Sequence, residues 1–310
     1  MFNRLAYPML RSAFAFALLL AATQVAHASP PDCSAHFAQR TAPRIADPAA
    51  AADSRLLCFR GYAVLDSVRT RTPLWSAEHL TAMAVQQARA LPRDSEFYEE
   101  PSLPAAARAN LADFRRSGYD RGHLTPSGDE ADQASQAETF SLANVVPQNP
   151  TSNRQTWSHL ETSTRRLVRQ YGAAYVVTGP AFVGASQLLN GRVRIPSHIW
   201  KAIYIEGIGA AAYVAPNTPE PVYATISISE FARFTGVDPF PDLPAHWRDT
   251  AMSLPGPTPH PGEKVERHVP LGQLADAAPG QTTAEPPARV PAFALADVVR
   301  MVRSADTHRR

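Results

Sequence analysis

Between Asp120 and Arg165 the chain gathers residue types that could act together on a phosphate ester. They are Asp120-Arg121-Gly122-His123, then Asn144 with Pro147-Gln148, then Asn153, Trp157, Glu161 and Arg165. An imidazole can take a proton from water near neutral pH. An amide oxygen and a carboxylate suit a hard divalent cation, and arginines offset charge that builds on phosphate oxygens. A base, ligands for a cation and further positive charge are the parts that attack of water on a phosphodiester requires. Each residue alone has a blander reading: a packed histidine, a helix-capping asparagine, a tryptophan anchoring a core, and a Glu–Arg pair four apart on a helix surface. Their combined order and spacing argue for the shared task.

Those side chains need elements to aim them. Positions 153, 157, 161 and 165 lie four apart, so on an α-helix they drift slowly around one side. Ser152 with Gln155 fits a capping box after Pro150, and Trp157, Leu160, Leu167 and Val168 supply an apolar stripe. Facing that helix, the run 119–124 reads as a strand ending at His123, followed by the turn signal Thr125-Pro126-Ser127-Gly128. Residues 140–146 read as a second strand, or a turn and strand, returning beside it. Strand, turn, strand and helix within about fifty residues make one supersecondary unit.

Elsewhere the pattern is mostly β. Residues 56–66 support strands broken at Gly61, and Thr72-Pro73-Leu74-Trp75 starts another. An Ala-rich stretch predicts a short helix over 104–116. Residues 174–179 form a short buried strand, 199–205 and 209–214 a hairpin, and 226–234 a strand turning into a helix that closes on Thr235-Gly236. No internal repeat is visible. The 29 prolines among 310 residues are too many to spread evenly through regular structure. Residues 29–54 therefore read as an Ala/Pro-rich leader, 55–254 as one folded domain, and 255–310 as a mostly loose tail with a short helix over 295–302.

Residues 1–28 read as a secretory signal peptide: Arg4 and Arg11, an apolar run over 13–22, and Ala26-His27-Ala28 before Ser29. A mitochondrial presequence fits less well, since the segment is a continuous apolar block and not an Arg-rich amphipathic helix. Signal removal would leave a secreted or periplasmic protein without stable membrane association. In such a compartment Cys33 and Cys58, the only two cysteines, are expected to form one disulfide that ties the leader to the first strand. The chain carries a formal charge of +2, and residues 1–28 hold two arginines and no acid, so the remainder is formally neutral. Global charge does not announce a nucleic-acid binder. Local charge is more telling: Arg108, Arg115, Arg116 and Arg121 precede or enter the central block, and Arg154, Arg165, Arg166 and Arg169 follow it.

The run DRGH, followed by N-x-x-P-Q and then N-x-x-x-W-x-x-x-E, resembles the DNA/RNA non-specific endonuclease family of the ββα-metal superfamily, over about residues 56–243. The resemblance implies an α+β, ββα-metal (His-Me finger) fold with a central, mainly antiparallel sheet flanked by helices. It implies that His123 activates the attacking water and that Asn153 ligates Mg²⁺, with Mn²⁺ as a substitute. Glu161 then holds water in the shell of the ion and counts with the metal-binding residues. Arg121 and Arg165 match arginines beside the scissile phosphate, Asp120 and Asn144 match supporting hydrogen-bonding positions, and Arg93 is the candidate for a further phosphate-binding arginine. The implied reaction hydrolyses DNA and RNA to 5′-phosphate products.

Two other functions compete with that reading. A phosphodiesterase of the same fold acting on small nucleotide substrates would present a different nucleophile or metal shell. A catalytically silent nucleic-acid-binding protein would not need the full catalytic set. The sequence leaves a homodimer open. His123, His159 and His198 match no tight zinc spacing, and His159 falls on a different helix face from Asn153 and Glu161, so it reads as a surface or packing histidine.

Overall fold

The structure is a computed structural model that describes residues 32–93, 96–185 and 187–275. The expected signal peptide and the helix expected over 295–302 lie outside the described residues. In chain order the main elements are β1 (Ser54–Cys58), β2 (Tyr62–Ser67), β3 (Thr72–Thr81), α1 (Ala82–Ala88), β4 (Asp120–His123), β5 (Val145–Gln148), α2 (Ser158–Tyr171), β6 (Ala173–Ala181), β7 (His198–Ile205), β8 (Gly209–Pro216), β9 (Val222–Ile226), α3 (Ile228–Thr235), β10 (Arg267–His268) and α4 (Leu271–Ala275). Eight strands form one sheet in the order β10-β9-β8-β7-β6-β3-β2-β1. Its neighbours pair antiparallel except β9 and β10, which run parallel. Strands β4 and β5 form a separate antiparallel pair.

The central strands β7 and β8 are buried at every residue, as expected for strands covered on both faces. Side-chain alternation splits β7 between two cores. Trp200, Ala202 and Tyr204 meet Trp75, Phe231 and Phe240 on one face, which α3 covers. Ile199, Ile203 and Ile205 meet Leu160, Leu167 and Val168 of α2 on the other, together with Leu124 and Val146. Helix α2 and the β4–β5 pair therefore share one core on the same face of the sheet, and this shared burial brings His123 towards Asn153. Lys201, between Ile199 and Ile203, points the same way; its Nζ donates to Thr178 Oγ1 at 2.7 Å and lies 5.7 Å from the Trp157 ring.

Three local expectations change. The Ser152–Gln155 capping box does not form, because Asn149 caps the helical segment earlier: its side chain accepts from the Thr151 and Ser152 amides at 3.0 and 3.2 Å. A short α turn, Pro150–Ser152, then a π-helical turn, Asn153–Trp157, precede α2. The helix expected over 104–116 shrinks to Leu111–Phe114, which starts late on an Asn110/Asp113 capping box. Upstream of it, Arg108 donates to the carbonyls of Glu100 and Leu103, so tertiary contacts override the alanine propensity there.

The largest departure is at the C-terminal side. The chain from 255 to 275 is no loose tail but a strap laid on the domain. Tyr213 donates to the Pro255 carbonyl at 2.5 Å, Ser163 donates to the Gly256 carbonyl at 3.2 Å, β10 joins the sheet edge, and Val269 and Leu274 are buried. Prolines bar a segment from regular structure, but their carbonyls still accept hydrogen bonds, so a proline-rich strap can lie along a surface. The leader is also more firmly held than by a cysteine alone. Cys33 is bonded to Cys58, Phe37 packs edge-on against Trp75, and Arg44–Ile45 pairs with Val237–Asp238. Among the described residues no helix is long and apolar enough to cross a membrane.

Candidate active site

A cleft of about 690 Å³ opens where the end of β4 faces the helical segment that begins at Pro150. It is lined by Arg93, Asp120, Arg121, His123, Asn153, Glu161 and Arg165, so seven of the eight candidate catalytic and binding residues read from the sequence come together in one place. The eighth, Asn144, is fully buried and does not line it. Its amide accepts from the Thr125 N–H at 3.0 Å and donates to the carbonyls of Thr125 and Thr139 at 2.8 and 3.0 Å. Asn144 thus locks the turn that follows His123, and its geometry is that of a brace.

His123 ends β4 opposite Val145. Its ring packs against Phe97 and Phe140, the three centroids each 5.0 Å from the other two, and its buried Nε2 has no partner in the protein. Burial, followed by the nearby charges of Arg93 and Arg121, lowers its pKa from the ordinary histidine value to about 3. The imidazole is therefore neutral at pH 7, with a lone pair free to accept a proton. Arg121 lies over the Phe97 ring at 4.5 Å and Arg93 over Phe140 at 5.8 Å, so the same two aromatics that seat the histidine also seat the arginines.

Asn153 and Asp120 work as a pair. The Asn153 amide nitrogen donates to Asp120 Oδ2 at 3.0 Å, which leaves the amide oxygen as the group able to take a cation. Asp120 is itself gripped by Arg154, which donates through Nε at 2.9 Å and Nη2 at 2.8 Å. The π turn at Asn153 changes the simple helical spacing: Asn153 and Glu161 line the cleft, while Trp157 turns into the core with 1% exposure. Such widened turns recur at functional sites.

Glu161 has its pKa raised, first by burial and against the opposing pull of Arg165 and Lys201. Arg165 is anchored on the cleft floor by Asp129, which accepts from its Nε at 2.5 Å, and stands 3.6 Å from Glu161, a pairing too long to be a hydrogen bond. Burial pulls the Arg165 pKa down, but Asp129, Glu161 and Glu78 outweigh it, so the guanidinium stays charged. The sequence missed Phe97, Phe140, Arg154 and Asp129 as parts of this site. Arg154 had a signal, as the cation next to Asn153; the aromatic seat and the Asp129 anchor depend on tertiary contacts that no local spacing announces.

The three lone histidines occur in three different settings. His123 is in the cleft, His198 is buried with Nε2 at 3.0 Å from the Leu274 carbonyl, and His159 is fully buried between Glu263 and Glu266. Of the two readings for His159, surface or packing, the structure bears out packing.

A fold of this kind with this cleft has close parallels. Residues 41–246 match the family described as DNA/RNA non-specific endonuclease. Nuclease C1 of Cunninghamella echinulata var. echinulata is 36% identical over 188 residues, which cover 55% of this chain and 74% of that protein. Human mitochondrial endonuclease G is 34% identical over 183 residues, 54% of this chain and 59% of that protein. Among solved structures, the EndoG/EndoGI complex aligns with a TM-score of 0.54 and 30% identity, covering 59% of this chain and 84% of that chain. The chain belongs to the DNA/RNA non-specific endonuclease family. It is accordingly an endonuclease, a hydrolase acting on nucleic acids, and the family's enzymes are metal-dependent.

The relatives also correct one expectation. Nuclease 1 of Schizosaccharomyces pombe, endonuclease G of human and cattle and the nuclease of Saccharomyces cerevisiae are all named as mitochondrial. The mitochondrial names of these relatives overturn the secreted or periplasmic setting expected from residues 1–28.

Proposed function

We propose that the chain hydrolyses phosphodiester bonds of DNA and RNA with little base selectivity, using His123 as general base and Mg²⁺ held by Asn153 and Glu161, and leaving 5′-phosphate and 3′-hydroxyl ends. The observation that carries this reading is the neutral His123 lining the same cleft as an Asn153 whose amide nitrogen is already engaged.

The donor set fits the ion. The Asn153 amide oxygen is one of the few protein ligands that Mg²⁺ takes while keeping most of its water, and the Glu161 carboxylate would hold one of those waters. When bound, the ion would neutralise charge on the phosphate and on the departing oxygen. His123 takes the proton of the attacking water, and its packing against Phe97 and Phe140 holds the ring in register for that transfer. A phosphate entering the cleft offsets the charges of Arg93 and Arg121, which otherwise suppress the basicity of His123, so substrate binding itself raises the proton affinity of the base. Arg165, fixed by Asp129, would stabilise the added negative charge of the transition state.

A second depression beside the cleft shares Phe97, Phe114 and Arg121 with it and adds Arg115, giving a strand a further arginine to follow. Arginines that meet phosphates position a strand without reading its bases, so selectivity should be weak and binding sensitive to salt. No step uses the 2′-hydroxyl, so both nucleic acids can serve.

Digestion of plasmid DNA and of RNA, with Mg²⁺ and with EDTA, tests the reading. His123→Ala should lose about 10³-fold in rate. Asn153→Ala should also lose most activity, with folding of both variants intact by circular dichroism. Wild-type cleavage undiminished by EDTA would remove the metal from the reaction, and an active His123→Ala variant would remove the base.

A further inference from the structure

Away from the cleft, on the opposite side of α2, His159 is enclosed by the C-terminal strap. Its Nε2 meets Glu263 Oε2 at 2.5 Å and its Nδ1 meets Glu266 Oε1 at 2.5 Å. The ring of His260 stands edge-on to that of His159, with centroids 5.2 Å apart. One ligand atom from each of His159, His260 and Glu263 lies within 4.8 Å of the other two. We propose that these three residues bind a second divalent cation, Zn²⁺ by their chemistry, and that the ion clamps the strap onto the helix that carries the catalytic side chains.

The local chain is built for this convergence. His260-Pro261-Gly262-Glu263 closes a tight turn: the Glu263 amide donates to the His260 carbonyl at 3.0 Å, and Gly262 has φ +87°. Proline at the second position and a positive-φ glycine at the third are the signature of a type II turn, which sets His260 and Glu263 side by side. The His260 amide also donates to Glu263 Oε2 at 3.3 Å, holding that carboxylate over the turn.

Glu266 supplies an independent pointer. Its side chain is 1% exposed, one oxygen rests on His159 Nδ1, and the other oxygen has no partner in the protein. A carboxylate on Nδ1 fixes the tautomer that leaves Nε2 for a metal, the arrangement in which metal-bound histidines are commonly held. Charge argues the same way. Among the described residues, the ion pairs of Glu263 and Glu266 go to His159 alone. With a neutral imidazole, two carboxylates converge on a buried ring with no positive charge between them, and burial of uncompensated charge is costly. A protonated imidazole would offset one of the two and leave the His260 nitrogen unused. A divalent cation offsets both and uses all three donors.

Two imidazoles and one carboxylate favour zinc over magnesium, which prefers oxygen ligands. Since His260 is exposed, water can complete a four-coordinate shell from the open side.

The test uses the full chain, stripped with EDTA, dialysed and titrated with ZnCl₂, with bound metal measured by mass spectrometry and thermal melting followed in parallel. His260→Ala and Glu263→Gln are the variants of choice, because both positions are accessible and their loss should not prevent folding. Asn153→Ala reports any zinc taken up in the catalytic cleft. Wild type and Asn153→Ala should each retain one zinc and melt several degrees higher with it, while His260→Ala and Glu263→Gln lose at least tenfold in affinity and most of the melting shift. All four should melt alike without zinc, apart from the small effects of the substitutions, and the two strap variants should keep Mg²⁺-supported cleavage. Absence of zinc uptake by wild type, equal uptake by the strap variants, or loss of uptake in Asn153→Ala would each overturn the proposal.

Discussion

At the scale of single residues, the site separates groups that act from groups that hold. Asp120 and Asn144 both flank the reactive hairpin, yet neither is free to react: Asp120 is spent on Asn153 and Arg154, and Asn144 on the backbone of Thr125 and Thr139. His123 is different, since it keeps Nε2 unpartnered at the cost of burial. This has a measurable consequence. Its pKa is depressed to about 3, by burial first and then by Arg93 and Arg121. An unfolded histidine takes up its proton near pH 6.5, so between that value and about 3 the unfolded chain binds one more proton than the folded chain at this position. The His123 contribution to stability is therefore complete above about pH 6.5 and is lost as the pH falls towards 3. In ¹⁵N-resolved NMR of the metal-free protein, the His123 ring should stay neutral at pH 5, and an unreactive phosphate ester bound in the cleft should move its protonation upward by offsetting the arginines. A titration midpoint near 6.5 in the free protein would mean that the ring is not buried as described.

At the scale of elements, what could be read in advance was what short-range pattern controls. The β4–β5 pair, the helix after Pro150, the β7–β8 hairpin and the strand-to-helix passage into α3 all follow from local periodicity and turn residues, although β5 begins only at Val145, after a 3-10 turn over Leu142–Asn144. The motif residues could be placed because they ride on these elements. The π turn at Asn153, the early cap by Asn149 and the shortened helix near Leu111 could not be read, because each is settled by a competing hydrogen bond within or beyond the segment. The glycine of the reactive strand shows the difference well. A Cβ built on Gly122 would lie 2.6 Å from Gln148 Cβ and 2.1 Å from its Oε1, so the residue between Arg121 and His123 must lack a side chain for β5 to pack beside it. No turn or positive φ is involved, and sequence alone gives no reason for it. Gly122→Ala should cost about 1–3 kcal/mol of stability as an overpacked site. Cleavage should fall further than stability does, because displacement of β5 moves the strand that ends in His123. Urea unfolding and the cleavage rate well below the melting temperature separate the two effects; a variant equal to wild type in both would show that Gln148 moves aside without strain.

At the scale of the whole molecule, a sheet covered on both faces leaves some carboxyl groups inside. The strap over 255–275 completes that enclosure, and it escaped the sequence reading because proline content signals lack of periodicity, which is not lack of contact. Asp66 is 3% exposed and Glu130 is 4% exposed, and burial raises the pKa of each to about 7, with Glu100 adding to the effect at Asp66. The direction is opposite to that at His123. A carboxyl whose folded pKa lies above its unfolded one keeps its proton on folding, so between about pH 4 and about pH 7 the folded chain binds more protons and stability declines as the pH rises. Histidine and carboxyl contributions therefore oppose each other across the same acidic range, and a bare melting curve against pH would show only their difference. Replacing one carboxyl isolates its share. Asp66→Asn keeps the shape and removes the charge, so it should match or slightly trail wild type at pH 5, where Asp66 is protonated anyway. At pH 8 it should melt above wild type by several degrees, since wild type must then bury a carboxylate with an unpartnered oxygen. Equal melting differences at pH 5 and pH 8 would show that Asp66 is ionised throughout, and that the interior of this sheet tolerates a charge its geometry does not compensate.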